Sequence, residues 1–135
     1  MKKFLLLLSV LFITTLMVFA GDENNPIFSA SFLKSLNTCT PDTFKTSNVD
    51  LGFLKSFAIY KIEKPNNEQL CYMHIDTTSW NEEYKSGNKF FCMLNPAQRK
   101  ELAESLSKND QSVLNKYFNT PTICKYTLKP LINLK

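Results

Sequence analysis

The stretch Leu70-Cys71-Tyr72-Met73-His74-Ile75-Asp76 decides the fold that this chain of 135 residues is expected to adopt. Successive side chains of a strand point to opposite faces, so His74 and Asp76 lie on the same face. The opposite face is the more apolar and should pack against the core; it carries Cys71, Met73 and Ile75. The stretch also contains the only histidine of the chain. It is therefore both the predicted middle of a sheet and the first place to look for a site.

The residues before this stretch predict its partner strand. Residues 53–63 are rich in aromatic and β-branched side chains, which favour a strand. The segment Lys64-Pro65-Asn66-Asn67 has the composition of a turn. Residues 53–76 are therefore predicted to form an antiparallel hairpin.

The rest of the predicted sheet is less sharply marked. Residues 77–88 are mostly polar and predict a longer connection, in which Trp80 or Tyr84 folds back onto the sheet. Residues 89–94 predict a third strand. Two weak patterns, at 43–50 and at 122–128, leave open whether each is a strand or a loop. We therefore expect an antiparallel sheet of three or four strands.

Helices are predicted on both sides of these strands in the sequence. The first covers residues 26–36, where apolar residues recur every four positions. The second opens at Asn95, which can cap it, while Gln98 can close a capping box. The third covers residues 111–119. One N-terminal helix, a hairpin-connected sheet and two C-terminal helices predict an α+β fold.

The start of the chain predicts a secretory signal peptide over residues 1–20, because basic Lys2 and Lys3 precede a long uncharged apolar run. An uncleaved membrane anchor is the alternative. We expect cleavage after Ala20, a flexible polar tail over residues 21–25, and one exported domain over residues 26–128. Residues 129–135 would be a basic C-terminal tail. The mature protein would then reside in the periplasm or outside the cell, with no stable membrane span.

The charge of the predicted mature chain is too small to favour a nucleic acid as partner. Removal of Lys2 and Lys3 leaves 14 basic against 12 acidic residues. Basic residues gather near the C-terminus, where residues 111–135 contain no acid. These lysines are Lys116, Lys125, Lys129 and Lys135. A solvated basic end and an end that contacts an anionic surface both remain open.

The four cysteines predict two disulfides, because an exported chain enters an oxidising compartment. They are Cys39, Cys71, Cys92 and Cys124. No pair has the C-x-x-C spacing of a thioredoxin-type redox site or a zinc knuckle. Three pairings are possible. If residues 70–76 and 89–94 are antiparallel neighbours, Cys71 and Cys92 can lie opposite each other, so we favour Cys71–Cys92 with Cys39–Cys124.

Candidate chemistry is sparse. His74 and Asp76 would lie about 6.5–7 Å apart at their Cα atoms on one face, as a His–carboxylate dyad or half a metal site. An ordinary, partly exposed strand histidine is the simpler interpretation. One histidine and four paired cysteines leave too few ligands for zinc, so we expect no metal and no cofactor. The few glycines build no nucleophile elbow, P-loop or dinucleotide fingerprint. The adjacent acids Glu82 and Glu83 do not predict a glycosidase.

Four short motifs carry a family resemblance. They are Cys39-Thr40-Pro41 after an apolar helix, Cys71-Tyr72 in a strand, Cys92 leading into a helix over 96–106, and residues 113–117 before Cys124. Together they resemble a group of small, uncharacterised exported bacterial proteins with four cysteines. The resemblance implies a signal peptide and an exported four-cysteine framework, but no activity. His74 is not part of the pattern.

Our leading hypothesis is an exported, disulfide-stabilised, non-enzymatic binding or structural domain with an unknown protein or surface partner. A small secreted hydrolase that uses His74 with Asp76 is the first alternative. The second is a protein that associates with anionic surfaces through its basic C-terminal end.

Overall fold

The structure is a computed structural model and describes residues 27–65 and 69–135. The predicted signal peptide, the predicted polar tail and the middle of the turn near Asn66 lie outside the described residues. Within them are three helices, α1 (Ala30–Thr38), α2 (Pro96–Ser107) and α3 (Ser112–Phe118). The strands are β1 (Asp42–Lys45), β2 (Val49–Asp50), β3 (Lys55–Glu63), β4 (Cys71–Trp80), β5 (Tyr84–Leu94), β6 (Cys124–Leu128) and β7 (Ile132–Asn133).

All seven described strands belong to one antiparallel sheet in the order β1-β3-β4-β5-β6. β2 pairs with the first residues of β3, so β1 and β2 together form one interrupted edge. β7 pairs with the first residues of β5, so β6 and β7 form the other edge, interrupted at residues 129–131. The sheet is therefore five strands wide, with a broken strand at each side.

The predicted sheet of three or four strands is wrong. The weak patterns at 43–50 and 122–128 both form strands, the first of them two, and two other segments were misjudged. The predicted polar connection at residues 77–88 instead lengthens β4 and β5 and leaves a turn of only three residues. Thr77 and Ser79 are polar but each is only 1% exposed, and the Thr77 hydroxyl accepts a hydrogen bond from the Asn88 N–H at 3.0 Å. The predicted tail at residues 129–135 instead contains β7. Polarity is thus a poor guide to strand boundaries where a buried hydroxyl such as that of Thr77 finds a partner on the neighbouring strand.

The predicted hairpin and its two faces are confirmed. β3 pairs along its full length with residues 72–80 of β4, with Tyr60 opposite Ile75. Side chains of β4 alternate between buried and half-buried from Cys71 to Asp76, and the apolar set lies in the core as expected. The mixture of helices and antiparallel strands is also as expected.

The first helix begins later than predicted, at Ala30 rather than near residue 26. Its cap is Ser29, whose hydroxyl accepts a hydrogen bond from the Phe32 N–H at 3.2 Å. The predicted capping box of α2 is confirmed. The Gln98 N–H donates to the Asn95 side chain at 2.8 Å, and the Asn95 N–H donates to the Gln98 side chain at 2.9 Å. Side-chain caps satisfy N–H groups that have no partner within the helix.

All three helices pack on one face of the sheet. Their buried side chains meet the inward-facing side chains of the central strands. The core includes Phe32 and Leu36 of α1, Leu102 and Leu106 of α2, Tyr117 of α3, and Ile62, Met73 and Leu94 of the sheet. The other face of the sheet carries no described helix. Within the described residues, none of the helices is both long and apolar enough to cross a membrane.

Both predicted disulfide pairs are wrong, although two disulfides are present. The structure pairs Cys39 with Cys71 and Cys92 with Cys124. The register of β4 and β5 places Met73 opposite Cys92, so Cys71 is two residues away from the position that the prediction needed. Cys92 instead lies directly opposite Cys124 on β6.

Candidate functional site

His74 and Asp76 lie on the helix-free face, as predicted, but they have different partners. The His74 Nε2 atom is 3.0 Å from a carboxylate oxygen of Glu63. The Asp76 carboxylate instead accepts a hydrogen bond from the ammonium group of Lys129. The structure therefore does not assemble the predicted dyad, and each of the two residues contacts a different partner.

The Glu63 carboxylate is the centre of a small exposed cluster. Its second oxygen lies 2.6 Å from the ammonium group of Lys61. The hydrogen bond from Lys61 is the main cause that lowers the pKa of Glu63, and the hydrogen bond from His74 is the next. The three side chains are 41–55% exposed, so water screens the pair. This arrangement is a surface ion cluster rather than a reactive buried pair.

The cluster makes a direct prediction about acid titration. Lys61→Ala should raise the pKa of Glu63 toward its ordinary value of 4.5, and His74→Ala should raise it by less. Because the folded-state pKa is depressed, ionised Glu63 stabilises the fold above its unfolded pKa, and this contribution disappears as the pH falls through the folded pKa. An NMR titration of the carboxyl carbon measures the shift. An unchanged pKa in Lys61→Ala would contradict the cluster.

Metal chemistry has no obvious place in the described part of the chain. No group of three or more His, Cys, Asp or Glu side chains there has the geometry to hold a metal ion. All four cysteines are in disulfides. The side chains that remain are carboxylates and one imidazole, most of them already in ion pairs.

The helix-free face of the sheet, called the open face below, is arranged in rows across the strands. One row runs from Lys61 through His74 and Phe91 to Lys125. The next row contains Ile59, Asp76, Lys89 and Thr127. Lysines also occupy the open-face positions 45, 55 and 85. Cations and rings therefore share one surface.

Positive charge exceeds negative charge on the open face. Among the described residues this face carries seven lysines, counting Lys129, and three carboxylates, which gives a net charge of +4 with neutral histidine. Each carboxylate is already paired: Glu63 and Asp76 as above, and Asp50 with Lys55 at 3.9 Å. Among the described residues, no carboxylate lies within 4.0 Å of four exposed lysines. These unpaired lysines are Lys45, Lys85, Lys89 and Lys125.

The aromatic rings of the open face form an apolar layer and do not present flat stacking surfaces. Tyr72 meets Phe91 edge to face, with ring centroids 5.0 Å apart. Phe57 meets Trp80 in the same way at 5.6 Å, and the Lys45 ammonium group lies 4.3 Å from the Phe57 ring centroid. All four rings are half-buried. The methylene groups of lysine side chains can cover such an apolar layer while their ammonium groups stay in water.

A groove of about 590 Å³ lies at one end of the open face. Residues 52–55 line one side of it and residues 80–83 line the other. Trp80 is half-buried there and is the last residue of β4, whereas Tyr84 is 42% exposed and is the first residue of β5. The predicted connection that folds an aromatic side chain back onto the sheet is therefore wrong. Glu82 and Glu83 are adjacent in the turn and do not face each other across the groove. The carboxylate pair of a glycosidase is therefore absent from these lining residues.

The basic C-terminal end is largely neutralised. The ammonium groups of Lys116 and Lys135 lie 2.9 Å and 2.7 Å from carboxylate oxygens of Glu101 and Glu83, and Lys129 pairs with Asp76. Only Lys125 of the four predicted lysines adds unpaired charge, and it does so on the open face. The other unpaired lysines were missed, although a signal was present for two of them: Lys85 and Lys89 recur at an even spacing within β5.

No protein-family model matches the chain, and comparisons with curated proteins and with solved structures find no significant match.

Proposed function

We propose that this protein is an exported, disulfide-stabilised, non-enzymatic domain that binds an acidic polysaccharide along the open face. Export is supported by the leader pattern of residues 1–20 and by the four-cysteine framework. The observation that carries the binding proposal is the set of four lysines on the open face that have no carboxylate partner among the described residues. Their charges are left for an anionic partner to neutralise.

The twist of the sheet favours a flexible polymer over a planar membrane. Neighbouring strands rotate by about 20–25°, so the two edges of a five-strand sheet differ by about 80–100°. Lys45, near one edge, and Lys125, at the other, therefore do not lie in one plane. A polymer can follow the twist and reach both groups, whereas a flat bilayer surface meets only part of the face.

The chemistry of the face favours a polysaccharide over single-stranded nucleic acid. Bases stack on flat, accessible rings, whereas Tyr72 and Phe91 are half-buried and packed edge to face. Arginine forks are the groups best suited to phosphate. The only arginine of the chain, Arg99, donates instead to the backbone carbonyl groups of Asn37 and Gln69. Lysine ammonium groups above an apolar layer are instead suited to bind the carboxylate groups of a sugar chain.

The proposal is tested by binding to carboxymethyl dextran, with unmodified dextran as the matched neutral polymer. We expect binding to the carboxylated polymer alone, weakening as salt rises, because exposed charges are screened beyond about 8 Å at 0.15 M ionic strength. Equal binding to both polymers would overturn the proposal. So would tighter binding to a single-stranded oligonucleotide or to phosphatidylglycerol vesicles.

The lysines themselves provide a prediction with a matched control. Lys89→Gln combined with Lys125→Gln should weaken binding to carboxymethyl dextran by about fivefold or more, at about 0.5–1 kcal/mol for each exposed charge. The control is Lys34→Gln with Lys100→Gln, which removes two exposed charges from α1 and α2. Titration calorimetry measures both affinities. An equal loss in the two double variants would mean that only net charge matters.

His74 separates this proposal from the hydrolase alternative. His74→Ala should keep polysaccharide binding, because the His74 ring nitrogen is already engaged with Glu63. A hydrolase that used His74 as its base would lose most of its rate. Binding that disappears in His74→Ala would argue against lysines as the main determinants.

A further inference from the structure

The sheet edge formed by β6 and β7 carries most of the large, exposed hydrophobic residues of the described chain. Five of its seven large, exposed hydrophobic residues fall within residues 126–134. They are Tyr126, Leu128, Leu131, Ile132 and Leu134. In the described part of the chain, β6 is the last strand on this side of the sheet. An apolar strand at an open edge is a site for pairing with another strand.

The backbone of β6 presents hydrogen-bonding groups at this edge. The Met93 N–H donates to the Ile123 carbonyl at 2.9 Å, and the Lys129 N–H donates to the Gly87 carbonyl at 3.0 Å. Backbone groups of successive strand residues point to alternate sides. The backbone N–H and C=O groups of the odd-numbered residues in this segment therefore point toward β5. The backbone N–H and C=O groups of Tyr126 and Leu128 point away from β5, toward the free edge.

We propose that two copies of this chain pair antiparallel through β6, about a two-fold axis at Tyr126. In that register Tyr126 lies opposite its counterpart, and the two residues exchange both backbone hydrogen bonds. The Leu128 N–H of each copy can donate to the Cys124 carbonyl of the other. The Cys124 N–H takes no part, because it already donates to the Thr120 carbonyl at 3.0 Å. The pair therefore forms four new backbone hydrogen bonds.

The charges on this edge favour a second copy over an acidic peptide. Lys129 and Lys135 are neutralised by Asp76 and Glu83, so Lys125 is the one lysine of the β6–β7 edge that has no paired carboxylate among the described residues. An acidic peptide would find little to neutralise there. In the symmetric register Lys125 lies opposite Thr127, and no two like charges face each other directly.

Side chains also match in this register. Tyr126 is 47% exposed and Leu128 is 62% exposed in the single chain. Pairing places the two Tyr126 rings side by side, since aromatic cross-strand pairs are favourable. Leu128 then lies beside the buried end of β6 in the other copy. The two open faces lie on the same side of the joined sheet, and the inference does not rest on the proposed polysaccharide.

The test is the mass of the purified protein by analytical ultracentrifugation over a concentration series. We expect a reversible dimer, and Tyr126→Pro should weaken it by about tenfold or more, because proline removes the N–H groups that cross the two-fold axis. The Tyr126 N–H points away from β5, so an edge proline leaves the pairing within the chain intact. A monomer at every concentration, or an unchanged dimer in Tyr126→Pro, would overturn the proposal.

A charge pair tests the register without proline. Thr127→Lys places lysine opposite Lys125 of the other copy and should weaken the dimer several-fold, whereas Thr127→Glu should strengthen it. Both substitutions fall on the open face and leave the backbone hydrogen-bonding groups unchanged. They therefore test the dimer even if Tyr126→Pro does not fold. Equal dissociation constants for the two variants would exclude this register.

Discussion

Replacing Cys39 and Cys71 together by alanine should lower the free energy of unfolding by about 3–4 kcal/mol. The bond joins residues 32 apart, and its loss frees that loop in the unfolded state. Both cysteines are buried, at 5% and 0% exposure. The bond also holds the end of α1 over the start of β4, so its loss should loosen the helix that carries Phe32. Urea unfolding of the double variant measures the change.

The second disulfide is the natural comparison, because it also joins residues 32 apart. Chain entropy alone therefore predicts the same loss for Cys92→Ala with Cys124→Ala. The two bonds differ in location, since Cys124 anchors an edge strand whose other residues are exposed. Amide exchange should accelerate across α1 in the first variant and along β6 in the second. A non-reducing peptide map that contains a Cys71–Cys92 peptide would contradict both assignments.

Local patterns in the sequence predicted what depends on neighbours along the chain. The alternation of apolar and polar side chains from Cys71 to Asp76 identified both faces of β4, because successive side chains of a strand point to opposite faces. The Asn95 and Gln98 capping box marked the start of α2, since it is completed within four residues. Disulfide pairing failed because it depends on the register between β4, β5 and β6. That register is set by packing over the whole sheet.

The candidate site failed for the same reason. Spacing along β4 correctly placed His74 and Asp76 on one face. Their partners, however, lie 11 and 53 residues away in the sequence, at Glu63 and Lys129. Only the course of the C-terminal segment brings Lys129 to Asp76, and that segment was expected to be a tail. The pattern of unpaired lysines emerges only when several strands are aligned.

Gly87 makes this course of the C-terminal segment possible, and it had no predicted role. It lies in β5 opposite Thr78, with Lys129 on its other side. A Cβ atom at position 87 would overlap the backbone carbonyl oxygen of Thr77 and would lie 3.2 Å from the Lys129 Cδ atom. The absence of a side chain therefore lets β4 and the Lys129 stem approach β5 together. The Lys129 N–H also donates to the Gly87 carbonyl at 3.0 Å.

Gly87→Ala should therefore lower the free energy of unfolding by about 3 kcal/mol or more, since overpacking against backbone cannot be relieved by side-chain rotation. Gly52→Ala is the matched control. Gly52 has a φ of 81° but no atom within 4 Å of an added Cβ, so backbone strain alone should cost about 1–2 kcal/mol. Urea unfolding compares the two variants. If Gly87→Ala cost no more than Gly52→Ala, the close approach of Thr77 to Gly87 would be wrong, and with it the placement of Lys129 beside Asp76.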